Sequence, residues 1–174
     1  MPQMLDPGFV GALTYICEHN EEGAMGIIIN RPIEIGLNDI LSQLNMPVID
    51  KSYPVYWGGP VQEDRGFIIH TSTDESEHKW ESSMEVGKGI RLTTSKDIIK
   101  AIAENQGPEK FIIALGYAGW GAGQLEQELA ENTWLCSPAN EQLLFDVDVA
   151  SKRKAAINGL GITEHQLNSQ IGHA

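Results

Sequence analysis

The sequence has little cysteine and no long apolar run. Cys17 and Cys136 are the two cysteines among 174 residues, too few for a disulfide framework or a structural zinc site, so we predict a reducing, cytoplasmic setting. The longest uncharged stretch, residues 111–125, is broken by glycines and falls short of the roughly 20 apolar residues of a membrane span. Residues 1–7 show no basic end and no signal-like apolar run. We therefore expect no membrane partner.

Basic residues are also scarce. Twelve Lys and Arg face 24 Asp and Glu, which gives a net charge of −12 and an isoelectric point near 4.7. Such a chain repels nucleic-acid phosphates. The one basic cluster, Lys152-Arg153-Lys154, is interpreted as a solvated helix face, so we predict no direct binding to nucleic acid.

What the sequence does contain is a set of apolar runs separated by turn residues. With 41% hydrophobic residues and no repeat or linker, the chain is predicted to form a single domain over residues 1–174. Apolar runs predict strands at 10–16, 25–29, 55–57, 66–71, 88–93 and 111–117. Helical spacing and capping residues predict helices at 37–44, 94–105, 124–131, 137–144 and 150–158. The order favours an α+β fold with a mixed sheet flanked by helices.

Two polar segments between strands are predicted to be loops. Residues 58–65 begin Gly58-Gly59-Pro60 and end with Asp64 and Arg65. Arg65 could hold a ligand carboxylate or pair with a neighbouring acidic residue. Residues 72–83 are predicted to form a mobile surface loop with Trp80 as its anchor.

Most motifs that would indicate a reaction are missing. The segment Gly116–Gly123 follows a strand and precedes a helix, but no register of it gives G-x-G-x-x-G, and no P-loop or G-x-S-x-G occurs. We favour a glycine turn that brings a helix close to the sheet. The histidines lack metal-site spacing, so no metal and no cofactor is predicted. Trp57, Trp120 and Trp134 are interpreted as core aromatics.

Cys17 and His19 fall on the same face of a strand end. A nearby imidazolium could lower the thiol pKa and make Cys17 a nucleophile or redox sensor. A buried, unreactive Cys17 is the favoured interpretation, because isolated cysteines usually pack as small hydrophobes. Cys136, beside the predicted helix cap Ser137, is also expected to be buried.

Polar residues at strand ends form the candidate ligand site. We predict that one cleft is lined by Asn30, Gly58, Gly59, Asp64, Arg65 and His70. An enzyme site built from His19, Asn30, Asp64, Arg65 and His70 is the alternative. No catalytic residue is assigned.

Several segments resemble the AlgH/YqgE family, a set of bacterial proteins without an established biochemical function. The resemblance is carried by residues 15–20 and 23–32, 58–61 and 64–71, 92–97, 114–120 and 123–128, and by the closing Gly172-His173-Ala174. It implies a single α+β domain with a bifurcated, partly barrel-like sheet, a cytosolic protein, and a family name drawn from regulation of alginate synthesis. Members usually carry a further apolar segment ahead of the part that matches Met1–Pro7. We therefore expect either a gene start upstream or a missing edge strand.

Three functions are compatible with these features. The first is a non-enzymatic, cytosolic regulatory protein that binds a protein or small molecule and acts on transcription without contacting DNA. The second is a small-molecule enzyme that uses the cleft residues above. The third is a thiol redox sensor that acts through Cys17.

Overall fold

The computed structural model describes residues 6–72 and 79–169. Within these residues the chain forms eight strands, five α-helices and one π-helical turn. The strands are β1 (Thr14–Asn20), β2 (Gly23–Ile28), β3 (Pro32–Gly36), β4 (Pro54–Trp57), β5 (Val61–Thr71), β6 (Ser83–Gly87), β7 (Ile90–Thr93) and β8 (Phe111–Gly121). The helices are α1 (Leu37–Gln43), α2 (Lys96–Ala103), α3 (Gln124–Ala130), α4 (Val149–Asn158) and α5 (Glu164–Ser169), and the π turn spans Gln142–Asp146.

Strand β8 is the centre of the sheet, and the sheet divides along it. One edge of β8 pairs with β5, while the other is shared by β4, which runs parallel to residues 113–115, and β2, which runs antiparallel to residues 118–121. The branch point contains Gly116 at φ +76°, where a Cβ would overlap the carbonyl oxygen of Gly59. The mixed sheet predicted from the sequence pattern and the bifurcation implied by the family resemblance are both confirmed.

The sheet curves until its end strands meet. The order is β1-β2-β8-β5-β7-β6, and the Tyr15 hydroxyl of β1 donates a hydrogen bond of 3.1 Å to the Val86 carbonyl of β6. This contact nearly closes the sheet into a barrel, as the family resemblance implied.

The sheet is buried on both faces. Because side chains alternate along a strand, Phe67 and Ile69 of β5 enter one hydrophobic cluster, whereas Ile68 enters a second one beneath α1 and α2. Burial on both faces explains why the strands have uninterrupted apolar runs.

Several predicted element bounds are wrong. Residues 61–65, predicted as loop, belong to the long strand β5, whose register shifts between Val61 and Gly66. Strand β6 begins within the predicted loop 72–83; residues 73–78 of that loop lie outside the described residues, and Trp80 is buried. The predicted helix from Ser137 is instead a π turn at Gln142–Asp146, because the Ser137 hydroxyl donates to the Ala156 carbonyl rather than capping a helix.

Among the described residues, no helix has the length and apolar character required to cross a membrane.

Candidate functional site

Asn30 connects the segment before β1 to the end of β2. Its Oδ1 accepts a hydrogen bond from the Leu13 amide at 2.8 Å, and its Nδ2 donates to the Gly11 carbonyl at 3.0 Å. Both ends of the amide therefore have protein partners. These contacts indicate a structural role in holding residues 11–13 against the sheet.

Gly58 and Gly59 allow two backbone segments to lie unusually close. The Gly58 amide donates to the Leu115 carbonyl at 2.8 Å, and the Gly58 carbonyl accepts from the Ile28 amide at 2.9 Å. A Cβ on Gly59, where φ is +150°, would overlap the backbone of Tyr117. The absence of a side chain at these positions is thus required by the branch in the sheet.

Arg65 and Asp64 are exposed on the bulged half of β5. Arg65 donates to the Gln62 side chain at 3.3 Å and to the Thr94 hydroxyl at 3.2 Å. Its guanidinium carbon lies 5.6 Å from the centre of the Phe67 ring. Arg65 thus has no acidic partner in a hydrogen bond among the described residues, and the predicted pairing with a neighbouring acid is not observed.

His70 is buried within the sheet, with 1% of its surface exposed. Its Nδ1 lies 2.9 Å from the Thr71 carbonyl and its Nε2 lies 2.7 Å from the Thr93 hydroxyl. Burial lowers the pKa of His70, a hydrogen bond to Thr71 opposes this effect, and Arg91 lowers the pKa further. Because a carbonyl oxygen can only accept, Nδ1 carries a proton and donates it to Thr71.

The structure gives these candidate residues separate partners. Neither of the two cavities described below is lined by any of the six residues of the predicted cleft. The shared cleft and the enzyme site built on it therefore stay predictions.

Cys17 is buried in β1. Burial raises the pKa of its thiol to about 12, which leaves it protonated at neutral pH, the opposite of what a redox sensor requires. Cys136, in contrast, is exposed. Its predicted burial is wrong, because the segment around it runs over the surface and does not enter a helix at Ser137.

A cavity of about 450 Å³ lies between β1 and the C-terminal helices. Its walls are mainly aliphatic and aromatic. They are formed by Ala12, Leu13, Thr14, Tyr15, Ile16, His19, Ile29, Trp120, Leu125, Leu129, Trp134, Leu135, Cys136, Ser137, Ala139, Leu143, Leu144, Arg153, Ala156, Ile157, Leu160 and Leu167. This volume and character are typical of sites for small organic molecules.

A few polar groups interrupt the apolar walls. Arg153 donates to Glu164 Oε1 at 2.6 Å, and His19 Nε2 lies 2.6 Å from Glu126 Oε1. The hydrogen bond from His19 lowers the pKa of Glu126. The buried hydroxyl of Thr14 has no hydrogen-bond partner among the described residues. Such isolated polar groups can orient a ligand in an otherwise apolar site.

A second, more open cavity of about 540 Å³ lies where β1, β2 and β8 meet. Glu18 and Glu22 line it together with Met25 and Tyr117. Its carboxylates and wider opening distinguish it from the apolar cavity.

The basic cluster differs from the solvated helix face predicted from the sequence. Lys152 is 3% exposed, and its Nζ donates to the Leu144 carbonyl at 2.7 Å and lies 5.7 Å from the centre of the Tyr56 ring. Burial lowers the pKa of Lys152 to about 8. Arg153 faces the apolar cavity, and Lys154 is the one member of the cluster that is exposed on the helix surface.

Sequence reasoning missed the apolar cavity because its walls come from both ends of the chain. Trp120 and Trp134 were interpreted as core aromatics; both are buried, as expected, but both also line this cavity. No group of three or more metal-ligating side chains occurs within residues 6–72 and 79–169.

The sequence is similar to known proteins of one family. A sequence model of the family described as DUF179, AlgH-like, matches residues 1–165. A UPF0301 protein of Hahella chejuensis is 48% identical over 174 residues, which covers this whole chain and 92% of the relative. A UPF0301 protein of Stutzerimonas stutzeri is 47% identical over 178 residues, with 100% and 92% covered.

Two solved structures are similar in fold. The solution structure of the AlgH protein from Pseudomonas aeruginosa aligns with a TM-score of 0.82 and 46% identity, covering all of this chain and 92% of that one. A crystal structure of a Corynebacterium diphtheriae protein aligns with a TM-score of 0.69 and 18% identity, covering 88% and 81%. The second likeness concerns the fold alone.

Proposed function

The chain belongs to the AlgH-like family, and we propose that this protein is a non-enzymatic, cytoplasmic regulatory protein that binds a small molecule in its apolar cavity. In this proposal the chain acts as one domain, and the ligand lies between β1 and the C-terminal helices. The regulatory output passes to a protein partner rather than directly to DNA.

The observation that carries this proposal is the cavity itself. A partly open cavity of about 450 Å³ with mostly apolar walls is the kind of site that can bury much of a small ligand's surface. Larger side chains in place of Ala12, Ala139 and Ala156 would fill part of this space.

The surroundings of the reactive side chains support a non-enzymatic role. His70 and Asn30 are held by protein hydrogen bonds. The thiol of Cys17 is protonated at neutral pH because burial raises its pKa to about 12. Acid–base or nucleophilic chemistry needs groups that can reach a substrate, and these three groups are directed into the protein.

The position of the cavity supports a regulatory role. Its walls include Tyr15 and Trp120 from the sheet, Ile157 from α4 and Leu167 from α5. The cavity therefore lies between the sheet and these two helices. A ligand bound between the sheet and the helices would stabilise the arrangement in which both layers contact it. Binding would therefore shift an equilibrium between helix positions toward that arrangement. A partner that recognises the helical face could then sense the ligand.

Binding of the neutral, apolar dye Nile red tests the proposal. We expect saturable binding at one site, with increased dye emission and a change in the emission of Trp120 and Trp134, which line the cavity. Ala156→Phe, inside the cavity, and Ala139→Trp, at an exposed part of its wall, should weaken binding at least tenfold.

The control variant is Ala130→Trp, because Ala130 is exposed on α3 and does not line the cavity. It should bind the dye like the wild type. Circular dichroism checks that each variant is folded. A folded wild type that does not bind, or equal binding by all three variants, would contradict the proposal.

A further inference from the structure

We propose that the ligand of the apolar cavity is an anionic amphiphile, a carboxylic acid with an aliphatic body, and that Arg153 receives its carboxylate. This inference rests on the proposed function, since it assigns a chemical class to the ligand of the same cavity.

The first argument is the sign of charge on the cavity walls. The chain has twice as many acidic as basic residues, yet no Asp or Glu is among the described residues that line the cavity. The side chains there that can carry a positive charge are Arg153 and His19. Each of these two is paired with a carboxylate outside the lining, Arg153 with Glu164 and His19 with Glu126, but the lining itself offers a ligand no carboxylate, which favours an anionic group over a cationic one.

The second argument is the geometry of Arg153. Its Nη1 donates to Glu164 Oε1 at 2.6 Å, and within residues 6–72 and 79–167 this is the guanidinium's one hydrogen bond. A guanidinium has five N–H donors in a planar fork that matches a carboxylate. Donors thus remain for a second carboxylate on the cavity side.

The third argument is the exposure of the existing ion pair. The side chains of Arg153 and Glu164 are 35% and 43% exposed, and a pair with this much solvent contact contributes little to stability. A ligand carboxylate could therefore share Arg153 with Glu164, or replace Glu164, at a small cost.

The remaining walls define the body of the ligand. Aliphatic side chains from four parts of the fold, including Leu13, Leu129, Leu160 and Leu167, surround the space. The buried hydroxyl of Thr14, which has no partner among the described residues, is a further polar group in this wall. An aliphatic chain with a single acidic end matches this distribution, whereas a uniformly polar metabolite would leave its hydrogen-bonding groups unpaired.

Displacement of Nile red by three ten-carbon probes tests the inference. Decanoate, decanol and decylammonium share one body and differ in charge. Below the concentrations at which they aggregate, we expect decanoate to bind at least tenfold more tightly than decanol, and decylammonium to bind most weakly.

Variants of the ion pair separate a binding role from a structural one. Arg153→Gln should reduce the preference for decanoate over decanol to within about twofold while decanol binding is unchanged. Glu164→Gln should tighten decanoate binding, because the guanidinium no longer shares its charge. If the pair only held α4 and α5 together, both substitutions would act in the same direction. Lys154→Gln, on the exposed side of α4, should leave the preference unchanged.

The outcomes distinguish this inference from the proposed function. Equal binding of decanoate and decanol, a preference for decylammonium, or a decanoate preference that persists in folded Arg153→Gln would each overturn the inference while the ligand-binding function stands. If Nile red binds and none of the probes displaces it, the inference is also overturned. Failure of the wild type to bind Nile red or any probe would overturn both.

Discussion

Trp120 and Trp134 donate their indole N–H groups to the same oxygen, Oε2 of Glu128, at 2.9 and 2.7 Å. Their rings meet edge to face with centroids 5.6 Å apart. Trp120 lies at the end of β8 and Trp134 lies beyond α3, so Glu128 fixes two cavity walls at once. The other carboxylate oxygen accepts from Gln124 at 2.9 Å.

Glu128→Leu is therefore expected to destabilise the protein. The substitution leaves two buried indole donors without an acceptor, and an unsatisfied buried donor costs about 1–3 kcal/mol. We expect the free energy of unfolding, measured by urea denaturation with circular dichroism, to fall by about 2 kcal/mol or more. Glu131→Leu is the matched control, because Glu131 is exposed and, within the described part of the chain, its side chain accepts only from Gln127, at 2.9 Å. Its effect should stay within about 0.5 kcal/mol, and equal losses in the two variants would contradict the role given to Glu128.

The two cysteines should differ sharply in reactivity. Burial raises the pKa of Cys17 to about 12, whereas Cys136 is exposed, and alkylation requires an accessible thiolate. Iodoacetamide at neutral pH should modify Cys136 in the folded protein and reach Cys17 only after urea is added, as peptide mapping by mass spectrometry would show. Folded Cys136→Ser should remain unmodified over the same period. Rapid modification of Cys17 in either protein would instead favour the thiol sensor.

Strands that are buried on both faces could be predicted from the sequence, because each of them has an uninterrupted apolar run. The apolar run at residues 66–71 predicts a strand, and Phe67 to His70 within it are buried. Strands β3 and β6 were missed, because each is short and half-exposed and is defined by its partner strand rather than by its own pattern. The turn signal Gly58-Gly59-Pro60 predicts a loop where the bulged half of β5 lies. Residues 61–65 are exposed there, so they lack the apolar pattern that would mark a strand.

The apolar cavity could not be predicted from local patterns. Leu13 and Leu167 both line it, although more than 150 positions separate them in the sequence. Each one alone resembles an ordinary core residue, and only the folded chain places them across an open space. Arg153 illustrates the same limit, because its neighbours in the sequence suggested a solvated basic helix face, whereas its position on α4 directs it to the cavity wall.

Lys152 should make the stability of the protein depend on pH in the alkaline range. Burial lowers its pKa in the folded state to about 8, from an ordinary value of 10.5. Between these values the unfolded chain binds more protons than the folded one, so the free energy of unfolding rises with pH. Relative to Lys152→Met, the wild type should gain on the order of 2 kcal/mol between pH 8 and 10.5, as measured by urea denaturation.

Lys154→Met is the control for this measurement, because Lys154 is exposed on the same helix. Its stability should follow that of the wild type at every pH, since other titrating groups are common to both proteins. Parallel curves for Lys152→Met and the wild type would show that the Lys152 amine keeps its ordinary pKa.

The structure also sharpens the prediction that the protein alone does not bind duplex DNA. Of the three residues in the basic cluster, Lys152 is buried and Arg153 is paired with Glu164, so Lys154 is the one that can approach a phosphate freely. Non-specific DNA binding needs several phosphate contacts, and the net charge of −12 opposes each of them.

Fluorescence anisotropy with a labelled duplex at about 50 mM salt, where electrostatic binding is strong, should show no saturable binding at low micromolar protein. Saturable binding that weakens steeply with added salt, and that is lost when Arg153 and Lys154 are replaced by Gln, would contradict the prediction and make the protein a direct DNA-binding regulator.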